Sequence, residues 1–326
     1  MAQNNLRRLR QNPWIRELVK EVRVSPHQLI QPYFVVDGLK AREEIPGLTG
    51  TFRDTPDSIL KQIEQDLEAG VRNALLFGVP REKRAAGFDF RFTASQIEAI
   101  KKRFGNDLFL AVDVCLCSFT THGHCGVLTA EQDHVDNGKS VTELANAALA
   151  YAQAGADCVA PSDMMDGRVG AIRSKLEQAG RDRTLLMSYS AKFHSRFYGP
   201  FRIAADSAPK AGEVKLKDRA TYQIDPASPR DAYLSSLRDA NEGADILMVK
   251  PGLPYLDVLA KLSKKIQKPW AVYEVSGEFA AIELMAKQGL IQGPAAHLEA
   301  WTAFGRAGAS IIITYGARYA REWLGV

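Results

Sequence analysis

Short apolar runs alternate along this chain with longer amphipathic stretches. The runs are Gln28–Val36, Ala74–Val79, Leu108–Val114, Cys158–Pro161, Thr184–Tyr189, Ile246–Lys250, Trp270–Val275 and Ser310–Tyr315. They are apolar almost throughout rather than at every second position, which is the pattern of parallel strands covered on both faces. The stretches between them carry helix punctuation. Thr55 stands before Pro56–Ala69, Ser95 before Gln96–Phe104, Ser140 or Thr142 before Glu143–Ala154, and Ser228-Pro229 opens a stretch that ends at Asn241. A side-chain oxygen at these places can cap the first turn, and proline suits the first helical position. Glycine follows several stretches, as Ala69-Gly70, Ala154-Gly155, Glu242-Gly243 and Ala307-Gly308, and is the usual helix stop.

Eight strand candidates, each followed by a crossover helix, predict the α/β class and a (β/α)₈ TIM barrel over residues 26–326. A doubly wound open sheet shares the alternation, but no glycine-rich phosphate fingerprint follows the first run. Residues 1–25 form an arm ahead of the barrel, with a short helix over Arg10–Val19. Trp14, Ile15 and Leu18 in that arm need a second surface to cover them, which predicts a homo-oligomer. The 46% hydrophobic and 25% charged residues suit a soluble protein with a large core. The formal net charge is only +4, and the basic residues are dispersed apart from Arg7, Arg8 and Arg10, so no nucleic-acid partner is expected. The first residues carry no apolar signal core, and no run reaches the ~18 apolar residues of a membrane span. The expected location is therefore the cytoplasm, with no membrane partner. Three of the four cysteines lie between positions 115 and 125, and clustered thiols in such a protein point to a metal or to catalysis rather than disulfides.

Barrel enzymes carry their chemistry at the C-terminal strand ends. Here those ends are polar: Asp113, Cys115 and Cys117 after the third run, Ser162, Asp163 and Asp166 after the fourth, Ser276 and Glu278 after the seventh, Tyr315 at the eighth. Lys250 closes the apolar run Ile-Leu-Met-Val. Desolvation there favours the neutral, nucleophilic amine, suited to a Schiff base with a substrate carbonyl; by position alone, a surface lysine or an ion pair fits equally well. Lys192, just past the fifth run, would face the same pocket, and two ammonium groups repel, so one is driven neutral. Cys115, Cys117 and Cys125 can bind zinc and leave a fourth position open, with His122 and His124 as further candidates; the alternative is three buried thiols. Cys158 reads as core. Residues 193–225 form a long basic and aromatic loop, a candidate lid, in which Lys210, Lys215 and Lys217 read as solvated. A Schiff-base aldolase for a phosphorylated sugar leaves the thiols unexplained, and a zinc-binding interaction protein leaves the paired lysines unexplained.

Several strings resemble the porphobilinogen synthase (5-aminolevulinate dehydratase) family along essentially the whole chain: Asp113-Val-Cys-Leu-Cys117, Ala160-Pro-Ser-Asp-Met-Met-Asp-Gly-Arg168, Ser190-Ala-Lys192-Phe, Phe197-Tyr-Gly-Pro-Phe-Arg202, Leu247-Met-Val-Lys-Pro-Gly252 and Val275-Ser-Gly-Glu-Phe279. The resemblance implies a lyase of tetrapyrrole (heme) biosynthesis that condenses two 5-aminolevulinate molecules to porphobilinogen with loss of two waters. It implies Schiff bases on Lys250 for the first-bound, P-side substrate and on Lys192 for the A-side one, with Asp113 beside them. It implies that Ser276 and Tyr315 hold the P-side carboxylate, and that Arg202, Arg219 and Gln223 hold the A-side one. Ser162, Tyr198, Phe201 and Tyr273 would line the site. All three cysteines are present, which implies the zinc-using type. Some members bind an allosteric magnesium through a glutamate on the helix before strand six. Ser235 stands there in this chain with Arg238 one turn on, so that magnesium is not expected. Octamers or hexamers built from dimers are the implied assemblies.

Overall fold

The computed structural model describes residues 6–209 and 214–326; Lys210 lies outside the described residues. Eight parallel strands close into a barrel: β1 Leu29–Val36, β2 Asn73–Val79, β3 Phe109–Val114, β4 Cys158–Pro161, β5 Leu185–Lys192, β6 Ile246–Lys250, β7 Trp270–Tyr273 and β8 Ile311–Ile313. Each pairs with its sequence neighbour, and β8 returns to β1 through Leu29↔Ile312 and Ile30↔Ile313. A short antiparallel pair, Glu43–Glu44 with Phe52–Asp54, extends the sheet beside β1.

Residues of each strand point alternately into two cores. One fills the barrel, with Ile30, Phe34, Leu75, Phe77, Ala111, Met187, Met248 and Ala271. The other lies between strands and helices, with Leu29, Tyr33, Leu76, Leu110, Val112, Leu247, Val249 and Val272. Both are buried, which is why the strands read as unbroken apolar runs.

The helices are α1 Pro13–Leu18, α2 Pro56–Glu68, α3 Arg91–Phe104, α4 Asn137–Gln153, α5 Arg168–Gln178, α6 Gly199–Ala204, α7 Pro229–Asn241, α8 Leu256–Lys265, α9 Ser276–Lys287, α10 Gly293–Arg306 and α11 Ala320–Leu324. Thr55 caps α2 in a reciprocal bond with Ser58. Two other expected starts are corrected. Helix α3 begins before Ser95, at Arg91, and Ser95 Oγ instead donates to the Phe92 carbonyl at 2.7 Å. Helix α4 begins at Asn137 under the Asp136 carboxylate; Ser140 spends its hydroxyl on the Asp136 carbonyl and the Val127 N–H. Ser228 makes no side-chain cap bond, and Pro229 alone marks the start of α7. In the arm, Asn12 caps α1 and Pro13 opens it, so the helix starts later than Arg10. No residue of α1 is buried, and Trp14 and Leu18 are exposed. No helix among the described residues is long and apolar enough to cross a membrane.

One buried ion network ties the barrel to its jacket. Arg168, at the start of α5, is fully buried between Asp163 (3.5 Å) and Asp239 of α7 (3.1 Å). Ser188 of β5 donates to the same Asp239 at 2.6 Å. Removing one partner strands the others as buried, uncompensated charges. Arg168→Met is therefore expected to lower unfolding free energy by about 3–5 kcal/mol in denaturant titration. The same change at partly exposed Arg238 is expected to cost no more than about 1 kcal/mol.

Candidate active site

Lys192 and Lys250 end β5 and β6 in direct register, and both are buried. Strand β6 reaches Lys250 by simple alternation from Met248. Strand β5 does not. Met187 and Tyr189 point into the barrel, Ser190 faces Ser236 of α7, and Ala191 packs in the outer core. A register irregularity between Ser188 and Ala191 then changes the parity and turns Lys192 inward.

The Lys250 ammonium position is walled by rings. Its Nζ lies 4.0 Å from the Tyr273 centroid, 4.8 Å from Phe201, 5.0 Å from Tyr189 and 5.6 Å from Tyr198. Burial, and then the charge of Lys192, hold its pKa well below the ordinary lysine value. Lys192 Nζ donates to the Ser162 carbonyl and lies 5.7 Å from the Tyr189 ring. Asp113, at the mouth of β3, accepts from Ser162; burial first, and the neighbouring Cys117 second, lift its pKa to about 7. Tyr273 and Tyr315 stand at the ends of β7 and β8 with hydroxyls 3.3 Å apart.

The segment after β5 covers this mouth. Gly277 N–H donates to Phe197 O (2.8 Å), and Phe201 N–H donates to Ser276 Oγ (3.1 Å), which anchors α6 against the start of α9. Tyr198 Oη donates to the Phe193 and Lys250 carbonyls. Arg219 donates to the Gly123 and Ser207 carbonyls at 3.0 and 2.5 Å. Burial, then the charge of Arg219, lowers the pKa of Arg202. Side-chain atoms without a partner among the described residues gather here: Asp113 Oδ1, Tyr189 Oη, Arg202 Nε, Arg219 Nε and both amide atoms of Gln223. Buried polar atoms are rarely left so, and a ligand carrying both hydrogen-bond donors and a carboxylate would match this mixture of acceptors and donors.

Cys115, Cys117 and Cys125 place their sulfurs within 4.8 Å of one another, all buried. Cys115 and Cys117 are 3.3 Å apart, and hydrogen bonds from the other two thiols hold Cys117 well below the ordinary thiol pKa. Tetrahedral Zn–S bonds set sulfurs about 3.8 Å apart, so the soft donor set fits a thiophilic divalent ion with one position open. His124 is not among these donors. Its ring meets Tyr222 Oη (3.1 Å) and Leu216 O (3.0 Å), steadying the loop from the covering segment. His122 accepts from the His124 N–H, and burial lowers its pKa to about 4. Cys158 lies inside the barrel core.

Two features were not singled out from sequence, and a third, Glu278, was read there only as a polar strand-end residue. Tyr189 underlies both lysines, and counting by twos from Met187 would have found it. Glu278 accepts from the Val275, Gly252 and Leu253 N–H groups at 2.7, 3.3 and 2.5 Å, joining the β6 and β7 exits, and burial raises its pKa to about 8. Behind Tyr273 and Tyr315, buried Glu274 meets His297 (2.9 Å), Trp301 (3.0 Å) and Thr314 (2.6 Å). No local pattern joins those four. Arg238 pairs with Asp166, Asp239 and Ser235, one helical turn away.

Residues 3–323 match the sequence profile of a family described as Delta-aminolevulinic acid dehydratase. The chain belongs to this family. A delta-aminolevulinic acid dehydratase of Bacillus subtilis is 39% identical over 325 residues and 98% of each chain. That of Helicobacter pylori is 42% identical over 320 residues and 96% of each chain. The crystal structure of the Toxoplasma gondii delta-aminolevulinic acid dehydratase (porphobilinogen synthase), in complex with porphobilinogen, superposes with a TM-score of 0.94 at 40% identity, over 98% of this chain and 91% of that one. A dihydropteroate synthase of Xanthomonas albilineans, 15% identical with a TM-score of 0.51, shares the barrel alone.

The thiol cluster gives a direct check. One equivalent of cadmium per chain, used as a spectroscopic probe, is expected to raise a thiolate-to-metal ultraviolet band. Cys117→Ala should remove most of it, whereas Cys158→Ala should leave it intact; a band dependent on Cys158 would refute the assignment.

Proposed function

We propose that this chain condenses two molecules of 5-aminolevulinate to porphobilinogen with loss of two waters, a lyase step of tetrapyrrole (heme) synthesis. The observation that carries this reading is the buried, in-register pair Lys192 and Lys250 in an aromatic cage. Membership of the dehydratase family agrees with it.

Lys250 is the amine best suited to attack a ketone, because burial and then the charge of Lys192 disfavour its protonated form. Its attack on the P-side substrate releases one water and leaves an imine. Ser276 and Tyr315 hold that substrate's carboxylate. Lys192 engages the A-side substrate, whose carboxylate lies between Arg202, Arg219 and Gln223. Imine formation makes each substrate's carbon more electrophilic and its α-hydrogens more acidic, which opens the C–C bond-forming step. Asp113, with a pKa lifted to about 7, accepts and returns a proton near both amines. Ser162 orients Asp113 through its hydroxyl and Lys192 through its carbonyl. Tyr189, Tyr198, Phe201 and Tyr273 keep water from the imines.

The donor set of Cys115, Cys117 and Cys125 suits zinc, which when bound supplies Lewis-acid polarisation of a substrate oxygen. Residues 193–225 act as the lid over barrel 26–326. The arm, residues 1–25, serves assembly: Leu9, Trp14 and Leu18 stay exposed on one chain and need a second chain to cover them, in an octamer or hexamer. The Arg238 guanidinium, already paired to Asp166 and Asp239, takes the place of an allosteric magnesium. A cytosolic setting suits the free, buried thiols.

Labelled 5-aminolevulinate trapped with borohydride and mapped to peptides is expected on Lys250 and, at saturation, on Lys192; label on neither lysine rejects the mechanism. Trapping at Lys250 should rise as pH climbs through its depressed pKa and level off above it. In Lys192→Met the repelling charge is gone, so the Lys250 pKa rises and that curve moves to higher pH. An unmoved curve means that burial alone sets the Lys250 amine.

A further inference from the structure

The covering segment is held at two edges. One is the start of α9, through Ser276 and Gly277. The other is the thiol loop. Ser118 Oγ, one residue past Cys117, donates to Ala205 O at 2.8 Å. Arg219 joins Gly123 O to Ser207 O. A Cβ on Gly123 would come within 2.3 Å of Ala208 O, so the two backbones touch.

A third element closes this second edge. The loop after β2 runs parallel to the thiol loop, with Arg84 N–H donating to Phe119 O (2.8 Å) and Thr121 N–H donating to Arg84 O (3.2 Å). That short ladder sets Lys83 at the seam. Its ammonium donates to Ser118 O (3.1 Å) in the thiol loop, and to Asp206 O (2.8 Å) in the covering segment. It also pairs with Asp206 Oδ2 at 2.8 Å. A lysine ammonium has three donors, and here all three meet oxygens from two different loops. Asp206 holds a positive φ of 44°, which aspartate tolerates better than bulkier residues. Its carbonyl and its carboxylate both reach the one ammonium. Lys83 keeps 18% of its side-chain exposure, so it lies at the rim and away from the two lysines.

We propose that Lys83 is a positioning residue that clamps the covering segment to the thiol loop and thereby sets Arg202 and Arg219 over the substrate carboxylate. Nothing in the lysine chemistry requires it. Without the ammonium, the Ser118 and Asp206 carbonyls face one another with no positive charge between them, and the seam opens. Arg202 follows, because Ser207 N–H donates to Arg202 O at 3.1 Å. Arg219 follows, because its guanidinium is bonded across the same seam. The defect falls on substrate capture rather than on imine chemistry.

This inference rests on the dehydratase reading for its kinetic half only. The test uses the full-length assembled enzyme with zinc supplied, comparing wild type, Lys83→Met, Asp206→Asn and the double variant. Lys83→Met is expected to raise KM for 5-aminolevulinate about tenfold, the loss of a charge-assisted contact, with kcat within about twofold. Hydrogen–deuterium exchange of peptides covering residues 199–207 should rise, while α7 peptides stay unchanged. Asp206→Asn keeps both carbonyl acceptors, so its effect is smaller, and the double variant is no worse than Lys83→Met. Unchanged exchange at 199–207 in Lys83→Met overturns the clamp whatever happens to KM. Raised exchange with unchanged KM overturns the positioning role. A wild-type enzyme that makes no porphobilinogen rejects the dehydratase reading instead, and the exchange comparison still judges the clamp.

Discussion

The structure is organised around the burial of two amines in one dry place. A lysine ammonium is strongly hydrated, and removing its water favours the neutral form. Two of them at adjoining strand ends, Lys192 and Lys250, add mutual repulsion. The rings of Tyr189, Tyr198, Phe201 and Tyr273 complete the cage around Lys250. Lys192 differs because it has the Ser162 carbonyl as an acceptor. The two identical side chains thus sit in different surroundings, and Asp113 lies beside them with a pKa lifted to about 7.

Such a cage must be held rigid, since small displacements at a reacting centre carry large rate penalties. The layer behind it does this with buried polar groups. Arg168 locks the β4 exit to β5 and α7 through Asp163, Asp239 and Ser188. Glu278 ties the loop after Lys250 to the start of α9. Glu274 fixes the ends of β7 and β8 together, and both ring nitrogens of its partner His297 face carboxylates, those of Glu274 and Glu283. These groups stand behind the side chains that line the mouth and tie the strand ends to one another.

The thiol loop has two connections of different kinds. Its sulfurs converge on one point, where a soft ion fits. The Ser118 hydroxyl and, through Arg219, the Gly123 carbonyl bond the loop to the covering segment. The thiol cluster, the covering segment and its buried Arg219 are therefore parts of one mechanical unit, and His124 and Tyr222 belong to it as braces.

Much of this was legible in the chain. Parallel strands buried on both faces must be apolar throughout, so the eight runs declared the barrel and the direction of its mouth. Lys250, Asp113 and the thiols followed from position at strand ends, and the family resemblance supplied roles for Arg202, Arg219, Gln223, Ser276 and Tyr315. Helix starts at Arg91 and Asn137 escaped because Ser95 and Ser140 bond to nearby backbone inside the helix, where a serine looks the same in sequence as a cap. The inward turn of Lys192 depends on an irregularity in β5, and alternation along the strand predicts the opposite face. Tyr189, Glu274, His297 and Glu278 act through partners far away in the chain. Residue type and local periodicity therefore determined which strands form and which chemistry is available. Only the closed barrel decided which side chains share a cage, because pKa and hydrogen-bond partners depend on distance in space, and that distance is set by packing.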